Sequence, residues 1–485
     1  MPSERDVRTL DRNTSWEGVN ALVTGFGVSG FAAADTLNHL GARVIVVDES
    51  EGDAHRREQA ELLEVLGADV RLGPGSTASL PQDLDLVVTS PGWRPTSPLL
   101  VEAAGRGLPV WGEVELAWRL RGDDPAPWLA VTGTNGKTTT VQMLESILQA
   151  AGLRAQAVGN VGTPILEAVM DPEGRDVLAV ELSSFQLHWT RSMSAEASAV
   201  LNLAPDHYDW HGGEQAYAAA KGKVFERTQR ACVYNVADEA TRHLVEEADV
   251  VEGARAIGFT LGIPEPGMVG IVDDLLVDRA FVETRATSAA ELASLSDLDD
   301  SSPHNVQNAL AAAALARAHG VAPTAVRDGL RAFRLGPHRI STVAEQSGVR
   351  WVDDSKATNP HAARASLQAF ERVVWIAGGL AKGATYDDLV RDVRDRLAGA
   401  VLIGADRQLI AAALAEHAPD VRVEVVEGAP DADALMDLVV AAAQRLASAG
   451  DTVLMAPAAA SMDQFRDYAH RGDAFAQAVA RLVRP

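Results

Sequence analysis

The stretch WLAVTGTNGKTTT, residues 128–140, carries the most specific chemistry in the chain. A hydrophobic strand runs into a glycine-rich turn and then into a helical segment, TTTVQMLESILQAAG. Backbone N–H groups of such a turn, with the positive end of the helix behind them, cradle phosphate oxygens. Lys137 would neutralise the terminal phosphates and the Thr138 hydroxyl would reach Mg²⁺. The spacing is shorter than in the common phosphate loop: the first glycine is Gly133, giving G-x-x-G-K-T, where the longer motif would place a glycine at the position of Val131. A glycine-rich turn can simply reverse the chain, but Lys and Thr immediately after a strand favour a nucleotide.

Further on, DVLAVELSSFQL is a buried strand that delivers Glu181, a carboxylate able to hold a second divalent cation, and ASAVLNLAPDHYDWHG delivers Asp206 and His207. The run from His207 to His211 has a zinc-like composition, yet no third strong ligand lies at metal spacing. Carboxylate oxygens and a histidine around nucleotide phosphates favour magnesium. Near the amino terminus, Gly25-Phe26-Gly27-Val28-Ser29-Gly30 follows NALVT, and Asp48 ends RVIVVD. That is the dinucleotide fingerprint with its acidic ribose reader. It reports a diphosphate at a helix N-terminus and says nothing of hydride transfer. Two nucleotide-type ligands are therefore expected, one held as a handle and the other consumed, since a nicotinamide oxidoreductase has no need of Lys137.

These groups need strands to carry them. Apolar runs alternate with Ala/Leu-rich helical stretches throughout, which predicts parallel sheets covered by helices. At 485 residues the chain exceeds one core, and three blocks emerge, broken at RGDDPAP near 121–127 and at Gly336-Pro337. HNVQNALAAAALARAHG reads as a helix with Ala and Leu on its inner face, and ATSAAELASLSDLDDSSPHN as a solvated, mobile acidic loop. A net charge of -24 disfavours nucleic acid and anionic lipid. The single cysteine, Cys232, excludes an intrachain disulfide, and with no apolar run of membrane-spanning length a cytoplasmic protein is expected.

GTNGKTT, GNVG, ELSSFQL, the HR pair of GPHR, DDSKATN and AASMDQF follow in this order across the second and third blocks. Together they resemble the Mur ligases of peptidoglycan synthesis, over nearly the whole chain. The first motif alone would fit any Mur ligase or a folylpolyglutamate synthase. DDSKATN discriminates, and points to the D-glutamate-adding branch; the DNPR-type segment of the branches that add diaminopimelate or lysine is not found.

The resemblance implies an α/β protein of three domains. A Rossmann-like domain (1–125) would hold a UDP moiety, a central P-loop ATPase-like α/β domain (126–336) would hold ATP, and a Rossmann-like carboxyl-terminal domain (337–485) would close over ATP and the amino acid. The implied reaction joins D-glutamate to UDP-N-acetylmuramoyl-L-alanine through an acyl phosphate, using ATP and Mg²⁺, in a monomer without nucleic-acid or membrane partners. Lys137, Glu181, His207 and Lys221 would be catalytic, with Thr138, Glu181, His207 and a carbamylated Lys221 toward metal. Read from the sequence without the motif context, Lys221 or its neighbour Lys223 is a solvated helix-face lysine.

ATP would contact Gly133, Thr134, Asn135, Gly136, Lys137, Thr138 and Thr139, the adenine-side Asn305 and Asn308, then Arg339 and Asp354. The UDP substrate would take Val28, Ser29, Asp48, Glu49, Ser50, Ser90, Pro91, Gly92, Asn160 and His207. D-Glutamate would take Lys356, Thr358, Lys382, Ser461 and Tyr468. In isolation Arg339 reads equally as a surface cation, and Ser461 and Asn305 as helix caps. One departure stands out: relatives often carry an acid in the loop after Gly378-Gly379, where this chain has Leu380-Ala381. Another Mur-type or folylpolyglutamate-type ligase, a nicotinamide-dependent oxidoreductase and a nucleotide sensor are the competing readings.

Overall fold

The computed structural model describes residues 6–483, and every strand expected from the sequence forms. The first sheet has five parallel strands, Asp69–Leu72, Arg43–Asp48, Asn20–Thr24, Leu86–Thr89 and Val110–Gly112, in that spatial order. Strand order reverses between Asn20–Thr24 and Leu86–Thr89, and the carboxyl ends of strands at such a switch point form a ligand crevice. The second sheet has nine strands. Within it Trp128–Thr132 lies between Val177–Glu181 and Ala197–Val200, all parallel, so Gly133 and Glu181 leave the same edge. The third sheet has six strands, parallel except where Ser341–Gln346 pairs antiparallel with Val349–Asp353. Apolar residues fill both faces of the inner strands, as parallel sheets with helices on each side require.

Two compact units result. One runs to Leu203 and takes in Gln215–Phe333, and so contains the first two sheets. The other comprises Ala204–Glu214 and the chain from Arg334 onward. Within the first unit, two buried carboxylates tie the helix Glu113–Arg119 to its surroundings. Glu113 accepts the Leu166 N–H at 3.0 Å, and Glu115 accepts N–H groups of Arg191 and Ser192 at 2.7 and 2.9 Å.

Two expectations are corrected. The acidic segment 286–303 is no mobile loop: Ala290–Ser294 is a strand paired antiparallel with Leu275–Asp278, with Leu292 and Ala293 buried. Its carboxylates have local partners, Asp297 receiving Arg331 at 2.7 Å and Asp300 receiving the Ser302 hydroxyl at 2.6 Å, so net charge misrepresented its environment. The helix Pro303–His319 is buried on nearly all sides rather than one, which its small Ala side chains permit. Asn305 lies inside it, Ser302 being the cap residue. No helix among the described residues is long and apolar enough to cross a membrane.

Candidate functional site

In the first unit the loop 133–136 joins the strand Trp128–Thr132 to the helix Lys137–Ala150. Gly136 takes φ +85°, and a Cβ there would lie 2.3 Å from Asn308 Oδ1, so glycine is required on both counts. Asn202, unnoticed in the sequence, clamps the loop three ways. Its carbonyl accepts Thr134 N–H at 3.0 Å, its Oδ1 accepts Asn135 N–H at 2.9 Å, and its Nδ2 donates to Asn135 O at 3.1 Å. The Thr134 hydroxyl lies 2.9 Å from the Tyr217 hydroxyl.

The Lys137 ammonium donates to the carbonyls of Gly133 and Thr134, both at 2.9 Å. Lys221 donates to the same Gly133 carbonyl at 2.8 Å. It is 2% exposed and sits 4.8 Å from the Tyr217 ring centre, which overturns the solvated-lysine reading. Two ammonium groups on one carbonyl oxygen concentrate positive charge where phosphates would lie.

Glu181 ends its strand 1% exposed. Oε1 accepts from Asn160 Nδ2 at 3.0 Å, while Oε2 is buried without a hydrogen-bond partner. An orphaned carboxylate oxygen of this kind suits a divalent cation. Asn160, expected on the UDP side, therefore bonds this carboxylate. Asn305 and Asn308 are both buried; Asn308 Nδ2 donates to Asn305 Oδ1 at 3.3 Å, and Thr140 donates to Asn308 Oδ1 at 3.3 Å. Thr138 and Thr139 lie in the first turn of the helix, Thr139 buried.

At the first sheet's carboxyl edge, Val28 and Ser29 open the helix Val28–His39. The turn behind them is tight: a Cβ on Gly30 would fall 1.9 Å from Gly25 O. Ser90 donates to that same carbonyl at 3.0 Å, which brings 90–92 beside the turn. Asp48 braces the turn by accepting the Phe26 N–H at 2.7 Å, and accepts Ser50 N–H at 2.9 Å. Glu49 holds the loop 73–77 through Gly75 N–H at 2.9 Å and Thr77, and the Thr77 hydroxyl, first among these contacts, keeps its carboxyl below the ordinary range.

The second unit carries the remaining positions. His207 has φ 54° and its Nε2 lies 3.5 Å from Asp206 Oδ1. Among the described residues the 207–211 run assembles no three-ligand group; Asp387, Glu416 and His417 do, elsewhere in this unit. Lys356, Thr358, Lys382, Ser461 and Tyr468 lie on adjoining segments that follow the third sheet's strands. Backbone bonds stitch those segments together: Leu380 and Ala460 exchange bonds at 2.9 and 3.0 Å, and Ala458 N–H reaches Ala357 O at 2.9 Å. The Lys356 ammonium stands 3.8 Å from the Tyr468 ring centre. Ser461 is buried in a bend that precedes the helix Tyr468–Val483, so it does not cap it.

Arg471, also missed, is fully buried and binds Ser355 Oγ at 2.9 Å, Ser355 O at 3.0 Å and Ala459 O at 3.2 Å, and burial draws its pKa down to about 10. Asp354 is buried, which pushes its carboxyl up to about 6 against the opposing Ser366 hydroxyl and Arg339. Arg339 is half-buried. His338 bonds Asp353 at 2.6 Å, and that bond raises its pKa. At 380–381, where no acid stands, Asp406 from another loop accepts the Ala381 N–H at 2.8 Å.

A nucleotide-phosphate loop beside a buried carboxylate, with a diphosphate-type turn in the same unit, fits the class of nucleotide-consuming ligases. The chain belongs to the Mur ligase family: residues 131–316 match the Mur ligase middle domain and residues 338–459 the Mur ligase glutamate ligase domain. It is 60% identical over 469 residues to the UDP-N-acetylmuramoylalanine--D-glutamate ligase of Streptomyces avermitilis, covering 97% of this chain and 99% of that protein. It is 61% identical over 472 residues to the ligase of the same name from Streptomyces coelicolor, with the same coverage. Among solved structures, the UDP-N-acetylmuramate-alanine ligase of Thermotoga maritima shares the fold, with TM-score 0.56, 20% identity, and 96% and 99% of the two chains covered.

Proposed function

We propose that this protein is the ATP-dependent ligase that adds D-glutamate to UDP-N-acetylmuramoyl-L-alanine, in the cytoplasm, as a monomer. The division of labour follows 1–125 for the UDP substrate, 126–336 for ATP and 337–485 for the amino acid. The observation that carries the reading is the loop at 133–138, braced by Asn202, Lys137, Lys221 and Asn308, on the same sheet edge as Glu181.

A carboxylate resists amine attack because its carbon is electron-rich and oxide is a poor leaving group. Transfer of the γ-phosphoryl group of ATP onto the L-alanyl carboxylate gives an acyl phosphate and ADP. The amine of D-glutamate then attacks the acyl carbon, a tetrahedral intermediate forms, and phosphate leaves. Catalysis of such a transfer is positioning and charge stabilisation. Lys137 stabilises charge on the moving phosphoryl group, and the backbone N–H groups of Gly136, Lys137 and Thr138 at the start of the helix orient the phosphates. Glu181, Thr138 and a carbamylated Lys221, all in the first unit, are the groups suited to hold Mg²⁺, which when bound neutralises phosphate charge. Lys356, Lys382, Thr358 and Ser461 offer two cations and two hydroxyls to an amino acid with two carboxylates, beside the Tyr468 ring. Val28, Ser29, 48–50 and 90–92 hold the UDP diphosphate and ribose, with Asn160 and His207 toward the rest of that substrate. Arg339 and Asp354 serve ATP.

The test is phosphate release from ATP with UDP-N-acetylmuramoyl-L-alanine and a panel of amino acids. Release should depend on D-glutamate and Mg²⁺ and be absent with L-glutamate. Equal turnover with meso-diaminopimelate would favour a different Mur-type ligase.

A further inference from the structure

We propose that Asp300 is a positioning residue for nucleotide binding, its carboxylate fixing the orientation of two linked asparagine amides, Asn305 and Asn308, the second of which packs against Gly136 of the loop at 133–136. This rests on the reading of that loop as the ATP site.

Asp300 accepts the Ser302 N–H at 3.0 Å, the Ser302 hydroxyl at 2.6 Å, and the Asn305 amide N–H. From there a single relay runs inward. Asn305 Oδ1 accepts from Asn308 Nδ2 at 3.3 Å, and Asn308 Oδ1 accepts from the Thr140 hydroxyl at 3.3 Å. Donation thus passes from Thr140 through both amides to Asp300.

An amide can present either end to a neighbour, and a hydroxyl can donate or accept; an ionised carboxylate only accepts. Asp300 is therefore the one member of the relay whose polarity is fixed, and it decides the direction of every bond in it. The consequence reaches the phosphate loop, because Asn308 turns its oxygen, not its NH₂, toward Gly136, where a Cβ would lie 2.3 Å away. With Asp300 removed, Asn305 loses its obligate acceptor and both amides can rotate, so the N–H and C=O groups offered to a nucleotide are no longer fixed before it arrives. Burial works to raise the Asp300 pKa, but the Ser302 and Asn305 donors outweigh it and hold the carboxyl ionised. The acidic segment that reads as solvent-facing in the sequence is, at this residue, the anchor of a buried polar network.

The experiment uses the full chain, with ATP affinity measured by calorimetry and steady-state kinetics run for all three substrates. Variants are Asp300→Ala, Asp300→Asn, Asn305→Ala, the double Asp300→Ala/Asn305→Ala, and Lys137→Ala. Loss of one charge-assisted hydrogen bond predicts roughly tenfold weaker ATP binding for Asp300→Ala. Asp300→Asn, which restores an acceptor without fixed polarity, should fall between it and wild type, and it carries the test if the alanine variant does not fold. Turnover at saturating ATP and the KM for D-glutamate should not change. The double variant should bind ATP no more weakly than Asn305→Ala alone. Additive losses, or a fall in kcat with ATP affinity intact, would overturn the proposal and leave Asp300 a merely structural residue. If Lys137→Ala weakens ATP while both Asp300 variants do not, the relay fails and the ATP site stands; if Lys137→Ala changes nothing, the ATP-site reading itself fails.

Discussion

Glu181→Gln perturbs the carboxylate proposed to hold Mg²⁺ with little change in shape. In the wild type one buried oxygen bonds Asn160 at 3.0 Å and the other has no hydrogen-bond partner. An unpaired buried acceptor costs about 1–3 kcal/mol, and more when charged. A cation held there removes that cost and adds its own binding free energy, about 2.7 kcal/mol at a concentration 100 times Kd. Glutamine keeps an oxygen for Asn160 and removes the charge. In EDTA the variant should therefore melt as high as the wild type or higher, as expected where stability has been given up for function. Saturating Mg²⁺ without nucleotide should raise the wild-type Tm by roughly 4–8 °C, and the variant's by far less. Scanning calorimetry with and without Mg²⁺ reads both effects. A full Mg²⁺ shift in the variant, or a loss of several degrees in EDTA, would refute the assignment of Glu181 to metal.

Lys137→Ala should lower kcat by about 10²-fold or more, as loss of a phosphoryl-stabilising charge does. Binding of UDP-N-acetylmuramoyl-L-alanine, measured by calorimetry, should persist because that ligand's handle lies on the first sheet. Burial raises the Glu113 carboxyl to about 7. The native state then holds its proton more tightly than the unfolded chain, and stability falls as pH rises from about 4.5 through 7, by at most roughly 3 kcal/mol. Glu113→Gln, which keeps an acceptor for Leu166, should match the wild-type Tm near pH 4.5 and exceed it increasingly up to pH 8; a constant difference across that range would count against burial as the cause. Ser355→Ala removes the Arg471 Nε acceptor and the hydroxyl bonded to Tyr468 O at 2.8 Å. It should raise the D-glutamate KM about 5–10-fold, the worth of one to two hydrogen bonds, leaving the ATP KM alone; equal effects on both would show general damage to the unit.

Much of this was legible in the sequence because strands with apolar runs and glycine-marked ends announce their own edges. Gly133, Gly136 and Lys137, or Gly25, Gly30 and Asp48, are local patterns whose backbone reason is contained in a few neighbouring residues. Asn202 and Arg471 were not legible, since their significance arises from partners far away in the chain, Asn135 and Ser355, and neither type is unusual where it stands. The acidic segment misled for a related reason: counting carboxylates does not reveal that Asp297 meets Arg331 or that Leu292 turns inward. Lys221 shows the opposite case, a residue whose isolated reading was a surface lysine and whose burial followed only from the order of motifs around it. Its immediate neighbours in the chain say nothing of the Gly133 carbonyl it meets.

ATP bound at 133–138 is proposed to phosphorylate the substrate carboxylate. This step is tested most directly with UDP-N-acetylmuramoyl-L-alanine carrying ¹⁸O in both oxygens of its terminal carboxylate. If an acyl phosphate forms, amine attack expels phosphate together with one carboxylate oxygen. Mass spectrometry should then find one ¹⁸O in each inorganic phosphate released and one retained in the new amide. Phosphate free of label, formed at the same rate as the amide, would contradict the account.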